Sequence, residues 1–151
     1  MRLTSFTDYT LRVLIYLGLN PDRLSTIQEI ADSYAISENH LMKVVHHLAK
    51  SGVIESIRGK GGGIRLARTA AEIGLGDVVR EAEGNGPIVE CLSQDNNCRI
   101  TRSCTLAGIL VGAFDSLYAY LDQYTLADLI HNQKPLQKQL NIHPLVRSDR
   151  T

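Results

Sequence analysis

The alternation of apolar and polar positions divides the chain into a run of short helices, one hairpin and one long helix. In "TSFTDYTLRVLIYLGLNPD", Phe6, Leu11, Leu14, Ile15 and Leu17 form one broad apolar face. This predicts a helix from about Thr4 to Leu19, ended by Pro21. Ser5 and Asp8 have capping-box spacing, so the local reading makes Asp8 a backbone cap, with Arg12 one turn on as a surface ion-pair partner. Next, Thr26 and Glu29 form a second capping box before a short helix that turns Ile27, Ile30 and Ala31 inward. A turn follows at Tyr34 to Ile36, and Ser37 then caps a helix with Leu41, Val44, Val45 and Leu48 on one face, ending at Gly52. Two short helices joined in this way predict a helix-turn-helix over about 28–51.

The pattern then changes period. "VIESIRGKGGGIRLA" holds two strand-like runs, Val53, Ile54 and Ile57 against Ile64 and Leu66, around a glycine-rich tip, and predicts a hairpin. Thr69 to Glu83 reads as a short helix returning to the first domain, before Gly84, Gly86 and Pro87 break it. From Cys104 to about Gln123 the chain reads as a long helix. Leu106, Leu110, Ala113, Phe114, Leu117 and Leu121 form its stripe, and Ala107, Val111 and Tyr118 widen it. A small domain cannot cover such a stripe alone, so a second copy of the chain is its expected cover, with Gly108 and Gly112 permitting close approach. The expected fold is mainly α with a small β-hairpin wing: a winged helix-turn-helix plus a long dimerisation helix. Its divisions are 1–84 for the winged domain, 85–104 for a cysteine loop, 105–133 for the dimerisation and a short terminal helix, and 134–151 for a mobile tail.

Composition and charge add to this picture. With 151 residues, 44% apolar content and a mean hydropathy of -0.07, the chain reads as globular, and the lack of a signal peptide or an 18-residue apolar run makes a cytoplasmic location the expectation, with no membrane partner. The net charge of zero conceals an asymmetry: residues 1–68 carry 9 Lys+Arg against 6 Asp+Glu, and residues 69–151 carry 7 against 10. Cations concentrate on the helix-turn-helix and the hairpin. On the second helix of the motif, Asn39, Lys43, His46, His47 and Lys50 lie opposite the apolar stripe, with no carboxylate after Glu38, as a helix in a major groove requires. The candidate DNA-contacting residues are Gln28, Ser37, Asn39, His40 and Lys43 on the motif, and Arg58, Lys60, Gly61, Gly62 and Arg65 on the wing. Arg68 adds a further charge there, and glycines let backbone N–H groups approach a phosphate. A solvated polar face and a flexible loop are the plain alternatives. A nucleotide-binding P-loop is discounted, because the Gly-Lys-[Ser/Thr] ending is missing.

All 3 cysteines fall in "ECLSQDNNCRITRSC", as Cys91, Cys98 and Cys104 with C-x6-C-x5-C spacing. Thiols on a polar loop are unlike packing residues, and an odd number leaves one over from any closed disulfide set. Three readings of the loop follow: a soft or borderline metal site completed by a ligand from elsewhere, redox thiols, or a coincidence of structural cysteines. No C-x-x-C pair and no nucleophile beside a placed base accompany them, so an enzyme is not expected.

The ordered set "LTSFTDYTLRVLIYL", the helix-turn-helix, "IRGKGGGIRLA", "GDVVREAEG" and three cysteines before a long helix resembles the winged-helix iron-sulfur repressors of the IscR/NsrR family over residues 1 to about 130. In the IscR branch a histidine three residues after the last cysteine ligates a [2Fe-2S] cluster; here that position is Ala107, and the chain is more similar to the nitric-oxide-sensing branch. That resemblance implies an iron-sulfur cluster, [4Fe-4S] ahead of [2Fe-2S], on Cys91, Cys98, Cys104 and an aspartate from the first helix of the other subunit, matched here by Asp8. It also implies a homodimeric repressor that binds a palindromic operator in double-stranded DNA and releases it when nitric oxide nitrosylates the cluster. The same body with a zinc or thiol sensor, or an IscR-like role in cluster homeostasis, is the alternative.

Overall fold

The computed structural model describes residues 2–84 and 86–142. The first helix, α1 (Ser5–Gly18), starts where Thr4 turns extended and its hydroxyl accepts from Thr7 N–H at 3.2 Å. The capping box expected of Ser5 and Asp8 therefore does not form: the cap sits one residue earlier, leaving Asp8 free to pair with Arg12 at 2.9 Å. A distant carboxylate closes this end. Glu83 accepts from Thr4 N–H at 2.8 Å, from the Thr4 hydroxyl at 3.0 Å and from the Thr7 hydroxyl.

The next two helices are those the capping pattern predicted. α2 (Ile27–Tyr34) opens on the reciprocal Thr26–Glu29 box, and Ala35 turns the chain in a left-handed conformation at φ 53. α3 (Glu38–Lys50) opens on Ser37, whose hydroxyl accepts from His40 N–H at 3.4 Å, and ends before Gly52 at φ 71. Between them and α1 lies the core: Val13, Leu14 and Leu17 meet Ile30, Leu41, Val44 and Leu48. Each such side chain contributes about 2 kcal/mol through burial, which is what holds the motif at a fixed angle.

The wing is β1 (Ile54–Ile57) and β2 (Gly63–Leu66), antiparallel, pairing Ile54 with Leu66, Glu55 with Arg65, Ser56 with Ile64 and Ile57 with Gly63. The apolar pairing is narrower than expected, since Val53 precedes the strand and Ile57 stands exposed near the tip. Ser25 adds a bridge to Ile64, with backbone bonds of 3.0 and 2.8 Å, so the hairpin is anchored to the segment before α2. Gly63 passes so close that a Cβ would lie 2.7 Å from the Ser25 carbonyl.

Thr69 to Glu83 is not one helix. A single 3-10 turn at Ala70–Glu72 gives way to extended Ile73 and Gly74, and α4 spans Leu75–Glu83. The break has a partner: Leu75 N–H donates to Tyr124 O at 3.0 Å, and Leu126 N–H to Ile73 O at 2.8 Å. α5 (Leu106–Leu121) has 16 residues, about 24 Å, and lies beside α4. Arg80 fastens the two, its guanidinium on the Asp122 carboxylate and 4.8 Å over the Tyr118 ring. The expected stripe of α5 proves to be divided. Leu110, Phe114, Leu117, Tyr118 and Leu121 are half-buried, whereas Leu106, Val111 and Ala113 are exposed; Ile109 and Tyr120, outside the expected stripe, are exposed as well.

The chain closes with α6 (Leu126–Leu129) and α7 (Gln133–Gln139). A mobile tail from residue 134 was expected, and residues 134–142 depart from it: Leu140 and Ile142 are buried in the core, and Gln137 Nε2 donates to Leu19 O at 3.2 Å. Three apolar residues in a polar segment, Leu136, Leu140 and Ile142, suffice to dock it. The remainder of that expected tail, 143–151, lies outside the described residues.

The Glu83 clasp makes a testable pH dependence. Burial alone would raise its carboxyl pKa, but hydrogen bonds from Thr7 and Thr4 outweigh burial and hold it below 4.5. Because the folded value lies below the unfolded one, the clasp stabilises the fold above the usual carboxylate range and is lost as pH falls through the depressed value. Glu83→Gln should lower Tm at pH 7, and the gap from wild type should narrow below about pH 4.5. A gap that stays constant with pH would assign the effect to packing instead.

Candidate nucleic-acid interface and cysteine loop

Ser37 starts α3 so that Asn39, Met42, Lys43, His46 and Lys50 share one exposed face, at i, i+3, i+4, i+7 and i+11. Four of these are polar or cationic. Met42, at 50% exposure, is the residue the sequence reading missed, although its spacing from Asn39 was visible. His47, expected on this face, is half-buried: its ring packs edge-on against Phe6 at 5.3 Å, and Nε2 lies 3.8 Å from Glu81. It ties α3 to α1 and α4. His40 is exposed but stands beside Tyr9, ring centres 6.0 Å apart, at the edge nearest α1. Gln28 is exposed on α2, and Ser37 is exposed with its hydroxyl engaged as the cap.

On the wing, the register sets the charge. Arg65 lies opposite Glu55 and forms an ion pair with it, so it is not the free cation expected. Arg58, Lys60 and Arg68 are exposed, and among the described residues none of them is ion-paired. The tip needs its glycines: Gly59 and Gly61 have φ 100 and 77, and a Cβ on Gly62 would overlap the Ile57 carbonyl. The backbone is thereby left open for a close approach.

The cysteine loop is organised by a residue that sequence reasoning passed over. Asn96 accepts from Cys98 N–H at 2.8 Å and donates to Cys91 O at 3.5 Å and to the Thr101 hydroxyl at 3.0 Å; that hydroxyl in turn donates to Cys98 O at 2.9 Å. Cys91, Cys98 and Cys104 are free and half-buried. Among the described residues, no three His, Cys, Asp or Glu side chains are gathered as a metal set, and the three thiols are not drawn to one point. By donor chemistry alone the loop offers what an iron-sulfur cluster takes, three free thiols on one hydrogen-bonded segment. Cys104 borders an open apolar hollow with Ile100, Leu106 and Ile109, continuous with the uncovered face of α5. Asp8 forms no hydrogen bond or ion pair with the loop of its own chain among the described residues, and its side chain is 49% exposed. Its bond to Arg12 is a surface pair contributing no more than about 0.5 kcal/mol, so the carboxylate is available to another ligand.

Comparison with known proteins agrees with this architecture. Residues 3–132 match the Rrf2 family, described as iron-dependent transcriptional regulators. The "HTH-type transcriptional regulator NsrR" of Halalkalibacterium halodurans is 47% identical over 146 residues, covering 95% of this chain and 100% of the relative. Its namesake in Bacillus subtilis is 46% identical over 144 residues, covering 94% and 99%. Among solved structures, T. potens IscR superposes with a TM-score of 0.72 at 25% identity, over 91% of each chain. The winged-helix architecture is therefore shared with solved regulators, and the chain belongs to the Rrf2 family of iron-dependent transcriptional regulators.

Proposed function

We propose that this chain is a homodimeric repressor that senses nitric oxide through an iron-sulfur cluster, [4Fe-4S] ahead of [2Fe-2S], held by Cys91, Cys98, Cys104 and the partner's Asp8. The observation that carries the reading is the state of Asp8: Thr4 and Glu83 satisfy the start of α1, leaving an exposed carboxylate with no capping role. The NsrR name of relatives at 46–47% identity supports the signal. When bound, such a cluster supplies iron that nitric oxide attacks.

The protein's own groups then do the rest. A carboxylate is a harder ligand than a thiolate, so Asp8 would be the most weakly held of the four residues that would hold the cluster. Asp8 lies between Phe6 and Tyr9, whose rings contact His47 and His40 of α3. A pull on this turn of α1 thus reaches the helix that presents Asn39 and Lys43 to DNA, and its loss changes the spacing of the two half-site readers. A second copy seated on Leu106, Ile109 and Tyr120 would also cover the hollow beside Cys104, bringing the cysteine loop to the subunit seam.

The wing assignment is measurable through salt. Lys60→Ala should weaken binding to all duplexes about equally and reduce the slope of log K against log salt by roughly one unit. Arg65→Ala should change it less, because Glu55 already neutralises that charge. Equal slopes for Lys60→Ala and wild type would remove the wing from the interface.

The dimer seam separates two substitutions on the same helix. Ile109→Glu, at 65% exposure, should yield monomers by sedimentation with the fold retained. Leu117→Glu should instead lower Tm, since Leu117 faces the cleft lined by Leu3 and Glu83 of its own chain. A dimer undisturbed by Ile109→Glu would place the seam elsewhere.

The whole reading is tested with anaerobically purified protein, by iron and sulfide counts and by release of operator DNA on adding nitric oxide. Colourless zinc protein, or operator binding indifferent to nitric oxide, would overturn it. The cross-subunit ligand is tested in a mixed dimer of one Asp8→Ala chain and one chain with Cys91, Cys98 and Cys104 changed to Ser. It retains one complete site only if Asp8 acts across the seam, so its cluster should nitrosylate at the wild-type rate. A rate matching the Asp8→Ala homodimer would make Asp8 an in-chain group.

A further inference from the structure

Met42 is the apolar member of an otherwise polar face. Leu41, Val44, Val45 and Leu48 fill the core side of α3, and each is buried, whereas Met42 is 50% exposed and is not among the side chains packed on that core. Its position, three residues after Asn39 and four before His46, puts it on the exposed stripe, along the edge that faces away from Lys43. Around it stand the Asn39 amide, the Lys43 and Lys50 ammonium groups and the His46 ring, all exposed. Within the protomer this thioether gains little from burial.

The face as a whole suits DNA, and DNA has a feature that matches an apolar side chain there. Amides and cations address phosphates and the acceptors on base edges; the one apolar group that a major groove presents is the C5-methyl of thymine. A protein partner seated on α3 would have to accommodate the same cations together with the unpaired Arg58 and Lys60 of the wing, which favours a polyanion. Resting on the DNA-binding role assigned above to α3, we propose that Met42 is a specificity-determining residue that reads one thymine methyl in each half-site. Methionine suits this task because its unbranched, polarisable side chain adapts to an irregular apolar surface. Cytosine carries hydrogen at the equivalent carbon, so the contact would favour thymine over cytosine in addition to any hydrogen bond that Asn39 or Lys43 makes.

The test removes the methyl group and the side chain separately and together. The purified dimer first selects a duplex from a pool randomised over the half-sites, and each thymidine of that duplex is then replaced singly by deoxyuridine. Burial of one methyl corresponds to about a four-fold change in affinity. Wild type should lose about four-fold at one thymine per half-site. Met42→Leu should retain this sensitivity, and Met42→Ala should bind the thymine and uracil forms of that position alike while keeping the wild-type Tm. If wild type and Met42→Ala respond equally to every uracil substitution, Met42 does not read a methyl, although DNA binding stands. If no duplex is enriched from the pool, the DNA-binding reading fails and this inference fails with it.

Discussion

The Glu83 carboxylate at the start of α1 is the interaction on which the arrangement turns. A helix start leaves backbone N–H groups unsatisfied, and a nearby acid of the same helix ordinarily meets one of them. Here the acid arrives from the far end of α4, 76 residues from Thr7, and engages Thr4 and Thr7 together. This has two effects. It holds the last turn of α4, and hence the start of the loop leading to the cysteines, against the first turn of α1. It also relieves Asp8 of capping, so that a carboxylate which local sequence would spend on its own backbone stands exposed, with only a weak surface pair to Arg12.

From that anchor α1 serves three surfaces at once. Its inner side, Val13, Leu14 and Leu17, is the centre of the core. Phe6 and Tyr9 meet the two histidines at the inner edge of α3. Asp8 occupies the remaining side. Because the side chains of the core are closely packed, a displacement of the first turn would be passed on to α3 rather than absorbed locally. The histidines are informative in this respect: His47, which by type and spacing belongs with the cationic face, is used as a fastening to Phe6 and Glu81, and the outward face is left to Asn39, Met42, Lys43, His46 and Lys50.

Much of this was legible in the sequence where the signal is local. The capping box at Thr26 and Glu29, the Ser37 cap, the left-handed Gly52 and the hairpin around Gly59 to Gly63 each depend on residues within a few positions of one another, and each is observed. What escaped depends on distant partners. The cap of α1 was misplaced because Glu83 is not visible from Ser5, and the helix expected from Thr69 is interrupted because Ile73 and Gly74 pair with the strand-like segment at Thr125. Residues 134–142 read as tail because composition is averaged over a segment, whereas docking at Leu140 and Ile142 depends on a few buried side chains. Asn96 escaped for a related reason, since an asparagine in a polar loop has no period to betray that it bonds to the backbone of two cysteines and to Thr101. The α5 stripe read in sequence left out Ile109 and Tyr120, which stand exposed on the face that α4 does not cover.

Charge placement explains how a chain of zero net charge can present a surface suited to a polyanion. Arg12, Arg23, Arg65 and Arg80 are each paired with a carboxylate, Asp8, Glu29, Glu55 and Asp122 in turn. These pairings remove arginines from the count of free cations in the core-flanking and wing-base regions. Among the described residues, Lys43 and Lys50 of α3 and Arg58 and Lys60 of the wing carry no such partner, and all four are exposed. Binding to phosphates depends on the local unpaired charge and the counterions it displaces, not on the sum over the chain. Arg2, Arg68, Arg99, Arg102, Lys134 and Lys138 are likewise exposed without an ion-pair partner among the described residues. What distinguishes the helix and the hairpin tip is therefore their lack of paired carboxylates beside a polar face, not a monopoly of free cations. Phosphate contacts carry no sequence information, so selectivity falls on contacts that distinguish bases, the role proposed above for Met42 on the exposed face of α3.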